Sequence, residues 1–240
     1  MTDGCKQPVP RKRGVINVSS DARVRANNFF YRGDYRQAIE AFTQAIALEP
    51  DDATLYINRG AAYAALGEQE MAIADYDRAI QLAPDDATAY NNRGLAYAAQ
   101  GDYESALADY ERASELNPQD PVVYNNRGVA YDALGEYKRA LADCSRAIEL
   151  DPHYAGAYYT RGNLYAARGD NQRAVADYDR AINYNARFAA AYYARGRAWG
   201  LQGNYEQALA DLETYLQLSP RASNREQVEA IVRGLRSQHG

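Results

Sequence analysis

The side chains that most often carry out enzyme chemistry are sparse in this sequence. Its two histidines, His153 and His239, do not stand at metal-ligand spacing from another histidine, cysteine or carboxylate. Two pairs of adjacent aspartates, at positions 51–52 and 85–86, each come just before a predicted helix, where a carboxylate caps free backbone N–H groups. The phosphate-binding pattern G-x-x-x-x-G-K-[ST] does not occur. We therefore predict a protein that is not an enzyme and that uses no metal and no cofactor.

The elements that position the side chains come from a repeat of 34 residues that runs without insertion or deletion. Its first marker is a glycine: Gly33, Gly67, Gly101, Gly135, Gly169 and Gly203. A tyrosine recurs in the same register: Tyr56, Tyr90, Tyr124, Tyr158 and Tyr192. A second glycine follows each tyrosine: Gly60, Gly94, Gly128, Gly162 and Gly196. The register divides the chain into six units: 19–52, 53–86, 87–120, 121–154, 155–188 and 189–222.

Each unit has the pattern of two helices joined by a turn. In the third unit Tyr90, Gly94 and Tyr97 follow at i, i+4 and i+7, the spacing of one helix face. Gly101 ends this helix, because the left-handed conformation at a helix C-terminus suits glycine. A second amphipathic helix follows and stops before Pro118. Such a helix pair leaves one face uncovered, so neighbouring units must stack on each other.

The repeated motif Tyr-x-x-Arg-Gly-x-x-Tyr, followed by Ala-x-x-x-Tyr and a proline, is similar to the signature of the tetratricopeptide-repeat (TPR) family. Tyrosine takes the place of the family's tryptophan, and arginine takes the place of its leucine. The resemblance covers residues 19–222. It implies an all-α fold, a right-handed α-solenoid of six helix-turn-helix repeats. It also implies that the first helix of each pair lines a concave surface where extended peptides or partner helices bind.

The ends of the chain complete the predicted domain organisation. Residues 1–18 are expected to form a disordered basic leader, and residues 223–240 a capping helix and tail with one apolar stripe. The stripe consists of Val228, Ile231, Val232 and Leu235. We predict thirteen helices, no β-strand and a turn at each of the six glycines of the first marker. The fifth repeat should have the least regular exit, because Ala186 replaces the closing proline.

Arginine and aspartate form a second periodic pattern. The arginines are Arg25, Arg59, Arg93, Arg127, Arg161 and Arg195, and the aspartates are Asp75, Asp109, Asp143, Asp177 and Asp211. Because the family usually has leucine at the arginine position, the resemblance implies partial burial, and a buried guanidinium needs a partner. We predict that the aspartates supply it, in the same or a neighbouring repeat. The alternative is an anion-binding stripe of free arginines.

Family geometry also selects the residues of the candidate binding surface. The expected peptide-binding residues are Arg23, Asn27, Asn58, Asn91, Asn92, Asn125, Asn126, Tyr159, Asn163, Tyr193 and Arg197. Asn58, Asn92 and Asn126 stand at one repeat position, where amides can pair with the backbone of any peptide. The alternative is that these asparagines are only solvated, since asparagine costs a helix a few tenths of a kcal/mol against alanine.

A narrower resemblance concerns the carboxylate clamp with which co-chaperone repeats hold the C-terminus of Hsp70 or Hsp90. Arg23, Asn27 and Asn58 fall on the first three clamp positions. Thr88 and Asn92 fall on the last two, where the clamp has basic residues. Without those charges a terminal dicarboxylate would be held poorly, so we do not expect this specificity.

Charge and composition limit the class of partner. Residues 1–18 carry a net charge of +3, which leaves −8 on the rest of a chain whose total is −5. This acidic body argues against nucleic acid, which requires clustered lysine and arginine. No apolar run is long enough to span a membrane. The expected partner is a protein or peptide, and the protein itself is expected to be a monomer.

Two cysteines bear on location. Neither Cys5 nor Cys144 belongs to a C-x-x-C motif, and no signal peptide is visible, so a cytoplasmic protein is the default expectation. The alternative is an exported lipoprotein without its signal, since Gly4-Cys5 resembles a lipidation junction. Cys144 occupies the repeat position of Tyr110 and should be a buried filler.

The predicted function is a protein–protein interaction scaffold, and the alternative is a targeting or regulatory subunit of an enzyme or chaperone assembly whose catalysis lies on another chain.

Overall fold

The structure is a computed structural model that describes residues 18–239. Residues 1–17, which make up the predicted leader except for Val18 and include Cys5, lie outside the described residues. So does the side chain of His239. Between residues 18 and 239 the chain forms thirteen α-helices and no β-strand, which confirms the predicted all-α fold class.

The helices follow the 34-residue register. Their bounds are α1 Val18–Arg32, α2 Tyr35–Leu48, α3 Ala53–Ala65, α4 Gln69–Leu82, α5 Ala87–Ala99, α6 Tyr103–Leu116, α7 Pro121–Ala133, α8 Tyr137–Leu150, α9 Ala155–Ala167, α10 Asn171–Tyr184, α11 Ala189–Leu201, α12 Tyr205–Leu218 and α13 Arg225–His239.

The chain divides into two compact units. The first unit ends at Pro84 and contains α1 to α4, in which each helix packs against the next. The second unit begins at Asp85 and contains α5 to α13. Within the second unit consecutive helices pack as hairpins, and α13 packs against α12. The first helices of successive hairpins also contact each other, α5 with α7, α7 with α9 and α9 with α11, so they form a common wall.

The six marker glycines end the first helix of every hairpin in a left-handed conformation. Their φ angles lie between 76° and 82°, a region that residues with a Cβ adopt only with strain. No other residue between 18 and 239 has a positive φ. The turn prediction is therefore confirmed at all six positions.

The second periodic glycine lets the two helices of a hairpin approach closely. A Cβ added to Gly94 would lie 2.7 Å from Cε1 of Tyr110, a buried ring on the second helix. In the fourth repeat Cys144 takes the place of this tyrosine, and a Cβ on Gly128 would lie 2.9 Å from its Sγ. Cys144 is fully buried, and burial raises its pKa to about 12. Its predicted role as a buried filler is confirmed.

Aspartates before the first helices act as caps. Asp52, Asp86 and Asp120 each accept a hydrogen bond from the backbone N–H two residues later, at 2.8–2.9 Å. The carboxylates of Asp51 and Asp85 are exposed and lie 3.9 and 3.8 Å from arginine side chains. These contacts confirm a capping role for the second residue of each acidic pair.

The exit from the fifth repeat ends its helix regularly but has one backbone bond, from the N–H of Ala189 to the carbonyl of Arg187, that the other described exits lack. Helix α10 has the same length as the other second helices, and the backbone N–H of Asn185 bonds the carbonyl of Ala181 as at the other exits. The Asn185 side chain accepts a hydrogen bond from the backbone N–H of Arg187 at 3.1 Å. Asp151 makes the same bond to His153 in the fourth repeat. A side-chain acceptor thus closes this turn without a proline.

The capping helix buries only part of its predicted stripe. Val228 and Val232 are buried against α12 and Leu235 is partly buried, whereas Ile231 is 41% exposed. A helix rotates 100° per residue, so three positions can face the neighbour while the fourth lies at the rim.

Candidate functional site

The arginine and aspartate ladders form ion pairs within single repeats. Arg127 donates from Nε and Nη2 to the two carboxylate oxygens of Asp143, at 2.7 and 2.9 Å. The same two-bond geometry joins the other pairs, Arg59–Asp75, Arg93–Asp109, Arg161–Asp177 and Arg195–Asp211. The hydrogen bond to Asp143 raises the pKa of Arg127, against the opposing effect of burial. The predicted structural ion pairs are confirmed.

The remaining guanidinium nitrogen connects a repeat to the one before it. Nη1 of Arg127 donates to Ser114 at 3.1 Å, and Nη1 of Arg195 donates to Asp179 at 2.6 Å. Arg127 also lies 5.3 Å from the ring centroid of Tyr124, within the range of cation–π contact. These arginines stabilise stacking, so the alternative of a free anion-binding stripe is not supported. Arg25, whose repeat has no ladder aspartate, bonds Gln44 instead.

The asparagines of α5 and α7 bond each other. Asn126 donates from Nδ2 to Oδ1 of Asn91 at 3.0 Å, and Asn91 donates to Oδ1 of Asn92 at 3.5 Å. All three side chains are half-buried. These bonds occupy one N–H of Asn126 and one acceptor site of Asn92, while Oδ1 of Asn126 and Nδ2 of Asn92 make no bond within the described residues.

Asn125 does not fit the predicted role. It is 8% exposed, and its Oδ1 atom is buried without a hydrogen-bond partner among the described residues. Asn125 and Asn126 are consecutive on α7, and adjacent residues of a helix point about 100° apart. A peptide lying on Asn126 would therefore not reach Asn125, which we remove from the candidate site.

The first unit contains a small cavity of about 140 Å³. Asn27 and Asn58 line it together with Phe30, Tyr31 and Phe42. The prediction that the two asparagines lie on one surface agrees with this arrangement. Arg23, by contrast, forms an ion pair with Asp52 at 3.0 Å. Its charge is engaged within the protein, which further weakens the case for a carboxylate clamp.

The second unit contains a larger cavity of about 330 Å³, between α9, α10 and α11. It brings together four predicted residues, Tyr159, Asn163, Tyr193 and Arg197. Small residues of the two first helices form part of its lining: Ala166, Ala167, Ala194 and Ala198. We call this space the α9–α11 cavity. Its walls are aromatic and aliphatic with a few polar groups, the usual composition of a ligand site.

The polar groups that line the α9–α11 cavity differ in their hydrogen bonding, and Oδ1 of Asn171 is buried without a partner among the described residues. The hydroxyl of Tyr178 donates to Oδ1 of Asn163 at 2.8 Å. Burial raises the pKa of Tyr178 above its usual value, so this hydroxyl stays protonated at neutral pH. Asn163 therefore presents its Nδ2 donor elsewhere. Arg197 is exposed, lies 5.7 Å from the ring centroid of Tyr193, and has no acidic residue within 4.0 Å among the described residues.

Seven lining residues were not predicted: the four alanines, Asn171, Tyr178 and Leu201. Asn171 and Tyr178 belong to α10, and positions taken from the first helices alone cannot find a second-helix residue. Leu201, which is 72% exposed, stands at the repeat position that pointed to Tyr31 in the first repeat. That shared position is a signal from which it could have been predicted.

The described residues also bear on metal binding and on membrane insertion. Within the described part of the chain, no cluster of three or more histidine, cysteine, aspartate or glutamate residues is arranged to hold a metal ion. None of the described helices is both long and apolar enough to cross a membrane.

Family models described as TPR repeat and tetratricopeptide repeat match most of the chain. The matches cover residues 26–67, 62–101, 94–135, 121–154, 144–176 and 162–233. Among curated proteins, Hsp70-Hsp90 organizing protein 3 of Arabidopsis thaliana is 43% identical over 53 residues, which is 22% of this chain and 10% of that protein. Serine/threonine-protein phosphatase 5 of Rattus norvegicus is 36% identical over 62 residues, 25% of this chain and 12% of that protein. The matches thus span about a tenth of these relatives' length.

Solved structures match over more of the chain. YrrB, described as a TPR protein with an unusual peptide-binding site, is 28% identical with a TM-score of 0.56, covering 80% of this chain and 100% of that one. PilW, described as a widely conserved type IV pilus biogenesis factor, has a TM-score of 0.77 at 18% identity and covers 88% of this chain and 98% of that one. The likeness to PilW shows the fold alone.

Proposed function

Because this chain belongs to the tetratricopeptide-repeat family, we propose that it is a protein–protein interaction scaffold and that the first helices of its second unit bind an extended peptide segment. The α9–α11 cavity is the observation that carries the proposal. It gathers four residues selected from the sequence into one space of about 330 Å³. A space of this size accepts a large side chain from a bound segment.

The aromatic side chains supply the expected anchor. Tyr159 and Tyr193 line the cavity, and each packs against a second ring. The ring centroids of Tyr159 and Phe188 are 4.9 Å apart, and those of Tyr193 and Tyr215 are 5.1 Å apart. Rings that are already fixed lose little freedom when they bind a partner. Tyrosine and arginine are also the residue types in which binding energy is often concentrated.

Exposed apolar residues extend the binding surface along the first helices. Leu95 on α5 and Val129 on α7 are both exposed and occupy one repeat position, and α5 packs against α7. Asn92 and Asn126 stand three residues before them on the same helices and keep one free donor end and one free acceptor end. Apolar contact next to amide ends suits an extended segment, which presents side chains and backbone groups in alternation.

Three similar proteins favour two different candidate functions. The description of YrrB as a TPR protein with an unusual peptide-binding site supports a peptide ligand. The names of the organizing protein and of the phosphatase favour a second candidate, a targeting subunit of a chaperone or enzyme assembly. Both candidates require a bound partner segment. They differ in whether the captured complex has a catalytic activity of its own.

Selection from a peptide library tests the proposal directly. The full chain would be immobilised and exposed to random peptides with acetylated and amidated ends, and bound peptides would be identified by mass spectrometry. The blocking variant is Ala167→Trp, because Ala167 lines the cavity and is exposed. The matched control is Ala142→Trp, at an exposed alanine of the second helix α8. Both variants must keep the helical circular dichroism signal of the parent.

We expect the parent and Ala142→Trp to enrich the same peptides and Ala167→Trp to lose them. Equal enrichment by all three proteins would show that peptides bind away from the cavity. Enrichment by none would remove the proposed peptide-binding function.

A further inference from the structure

We infer that the α9–α11 cavity selects a segment with an internal acidic side chain, aspartate or glutamate, flanked by apolar residues. The inference rests on the proposed function and adds the chemical class of the ligand. Three observations carry it: an unpaired cation, an amide fixed as a donor, and the position of both in the middle of the cavity.

Arg197 has no carboxylate partner among the described residues, unlike the five ladder arginines of the second to sixth repeats. The ladder guanidinium groups from Arg59 to Arg195 each bond an aspartate of their own repeat, whereas Arg197 contacts the ring of Tyr193. The cavity lining contains no acidic residue. Residues 18–240 carry a net charge of −8, so the surface as a whole repels an acidic segment. An unpaired guanidinium in a cavity free of carboxylates provides a local exception.

Asn163 adds a second donor to the same cavity. Because its Oδ1 accepts the hydroxyl proton of Tyr178, its Nδ2 group is the end available to a ligand. Arg197 and Asn163 can thus both donate to one ligand group, and a carboxylate is a group that only accepts hydrogen bonds. A neutral amide oxygen can also accept hydrogen bonds, but it carries no charge to strengthen its bond to the guanidinium.

The positions of the two donors place the acidic group inside the segment. Arg197 lies midway between Tyr193 and Leu201 on α11, and Asn163 lies midway between Tyr159 and Ala167 on α9. At 1.5 Å per residue each wall is about 12 Å long, which equals three to four residues of extended chain. A terminal carboxylate at the midpoint would leave half of the cavity empty. The tyrosines at one end and Leu201 at the other favour apolar neighbours on both sides.

Two blocked peptide libraries test the inference on the full chain. Both consist of N-acetylated, C-amidated nonapeptides with five randomised central positions. In the acidic library these positions include aspartate and glutamate, and in the neutral library asparagine and glutamine replace them. The variant is Arg197→Gln, and the matched control is Arg187→Ala, which removes the same charge from an exposed position outside the cavity lining. The best peptides would be titrated by fluorescence anisotropy.

We expect the parent and Arg187→Ala to bind the best acidic peptides about tenfold or more tightly than the same peptides with Asn or Gln at the acidic position. Arg197→Gln should remove this preference but still bind the neutral peptides. Raising the salt concentration should weaken the binding of the acidic peptides and leave the binding of the neutral peptides unchanged. Neutral binding that equals acidic binding, and that Ala167→Trp abolishes, would overturn the acidic specificity while the proposed function stands.

Two other outcomes also count against the inference. If the best peptides bind more tightly when resynthesised with a free C-terminus, and the blocked peptides show no acidic preference, the ligand is a terminal carboxylate. Binding of neither library would overturn the proposed function together with the inference.

Discussion

Replacing Arg127 by alanine tests whether the ladder ion pairs hold the repeats together. The side chains of Arg127 and Asp143 are only 17% and 11% exposed, so Arg127→Ala leaves a nearly buried carboxylate without its cation. The variant also loses the bond to Ser114 and the contact with Tyr124. Breaking a buried pair from one side typically costs 3–5 kcal/mol, and the partial exposure favours the lower end, about 3 kcal/mol.

The assay is urea unfolding followed by circular dichroism at 222 nm. At an m-value of about 3 kcal/mol per molar urea, the expected loss moves the transition of the second unit down by about 1 M. Arg25→Ala is the matched control, since Arg25 occupies the same repeat position but bonds only Gln44 at the surface. Its effect should stay within about 0.5 kcal/mol.

A double variant separates the stranded charge from lost packing. Arg127→Met with Asp143→Leu replaces the ion pair by apolar side chains of similar size and should recover most of the stability. If Arg127→Ala shifts the midpoint no more than Arg25→Ala does, the ion pair contributes little and the reasoning fails.

Two further predictions concern packing and the buried thiol. Gly94→Ala should lower the free energy of unfolding by about 1–3 kcal/mol, because the new Cβ would lie 2.7 Å from the Tyr110 ring, whereas Gly234→Ala, whose Cβ would meet nothing within 4 Å, should raise it by up to about 1 kcal/mol. The urea midpoints of the two variants measure both changes. If both variants were stabilised, or both destabilised, the packing explanation would be contradicted. Burial raises the pKa of Cys144 from 9.0 to about 12, so in a Cys5→Ser background iodoacetamide at pH 9 should label the native protein only as fast as it unfolds. Because the folded thiol has the higher pKa, its contribution to stability is complete below pH 9 and declines as the pH rises toward 12. The difference in unfolding free energy between the parent and Cys144→Ala, measured as a function of pH, would show this decline. Immediate labelling of the native protein, or a difference that does not change with pH, would refute the assignment.

The fold was predictable because its determinants are local and repeat in strict register. The glycines with positive φ and the capping aspartates determine the backbone only within a few residues of their own positions. The 34-residue period then predicts where each of them recurs. The ladder pairing needed one further inference, that a partly buried arginine requires a carboxylate, and the structure placed each pair within one hairpin.

The candidate site was less predictable because its side chains bond to neighbouring side chains that the sequence pattern does not identify. Nothing in the sequence shows that Asn126 would bond Asn91 or that Asp52 would pair with Arg23. Asn125 and Asn126 look equivalent in the sequence, yet a rotation of about 100° buries the first and leaves the second half-buried. Next to Ala186, the side chain of Asn185 accepts a hydrogen bond from the backbone N–H of Arg187 and closes the turn without the expected proline.

The central claim, that peptides bind at the α9–α11 cavity, is tested most directly by site-specific photo-crosslinking. A benzophenone amino acid would replace Leu201, which lies at the cavity and is 72% exposed, or Leu48 on α2 of the first unit, which is 51% exposed. Each protein would be irradiated with the best blocked peptide from the selection, and the adducts would be mapped by mass spectrometry. The account predicts peptide adducts from position 201 and none from position 48. Equal adducts from both positions, or adducts from position 48 alone, would contradict it.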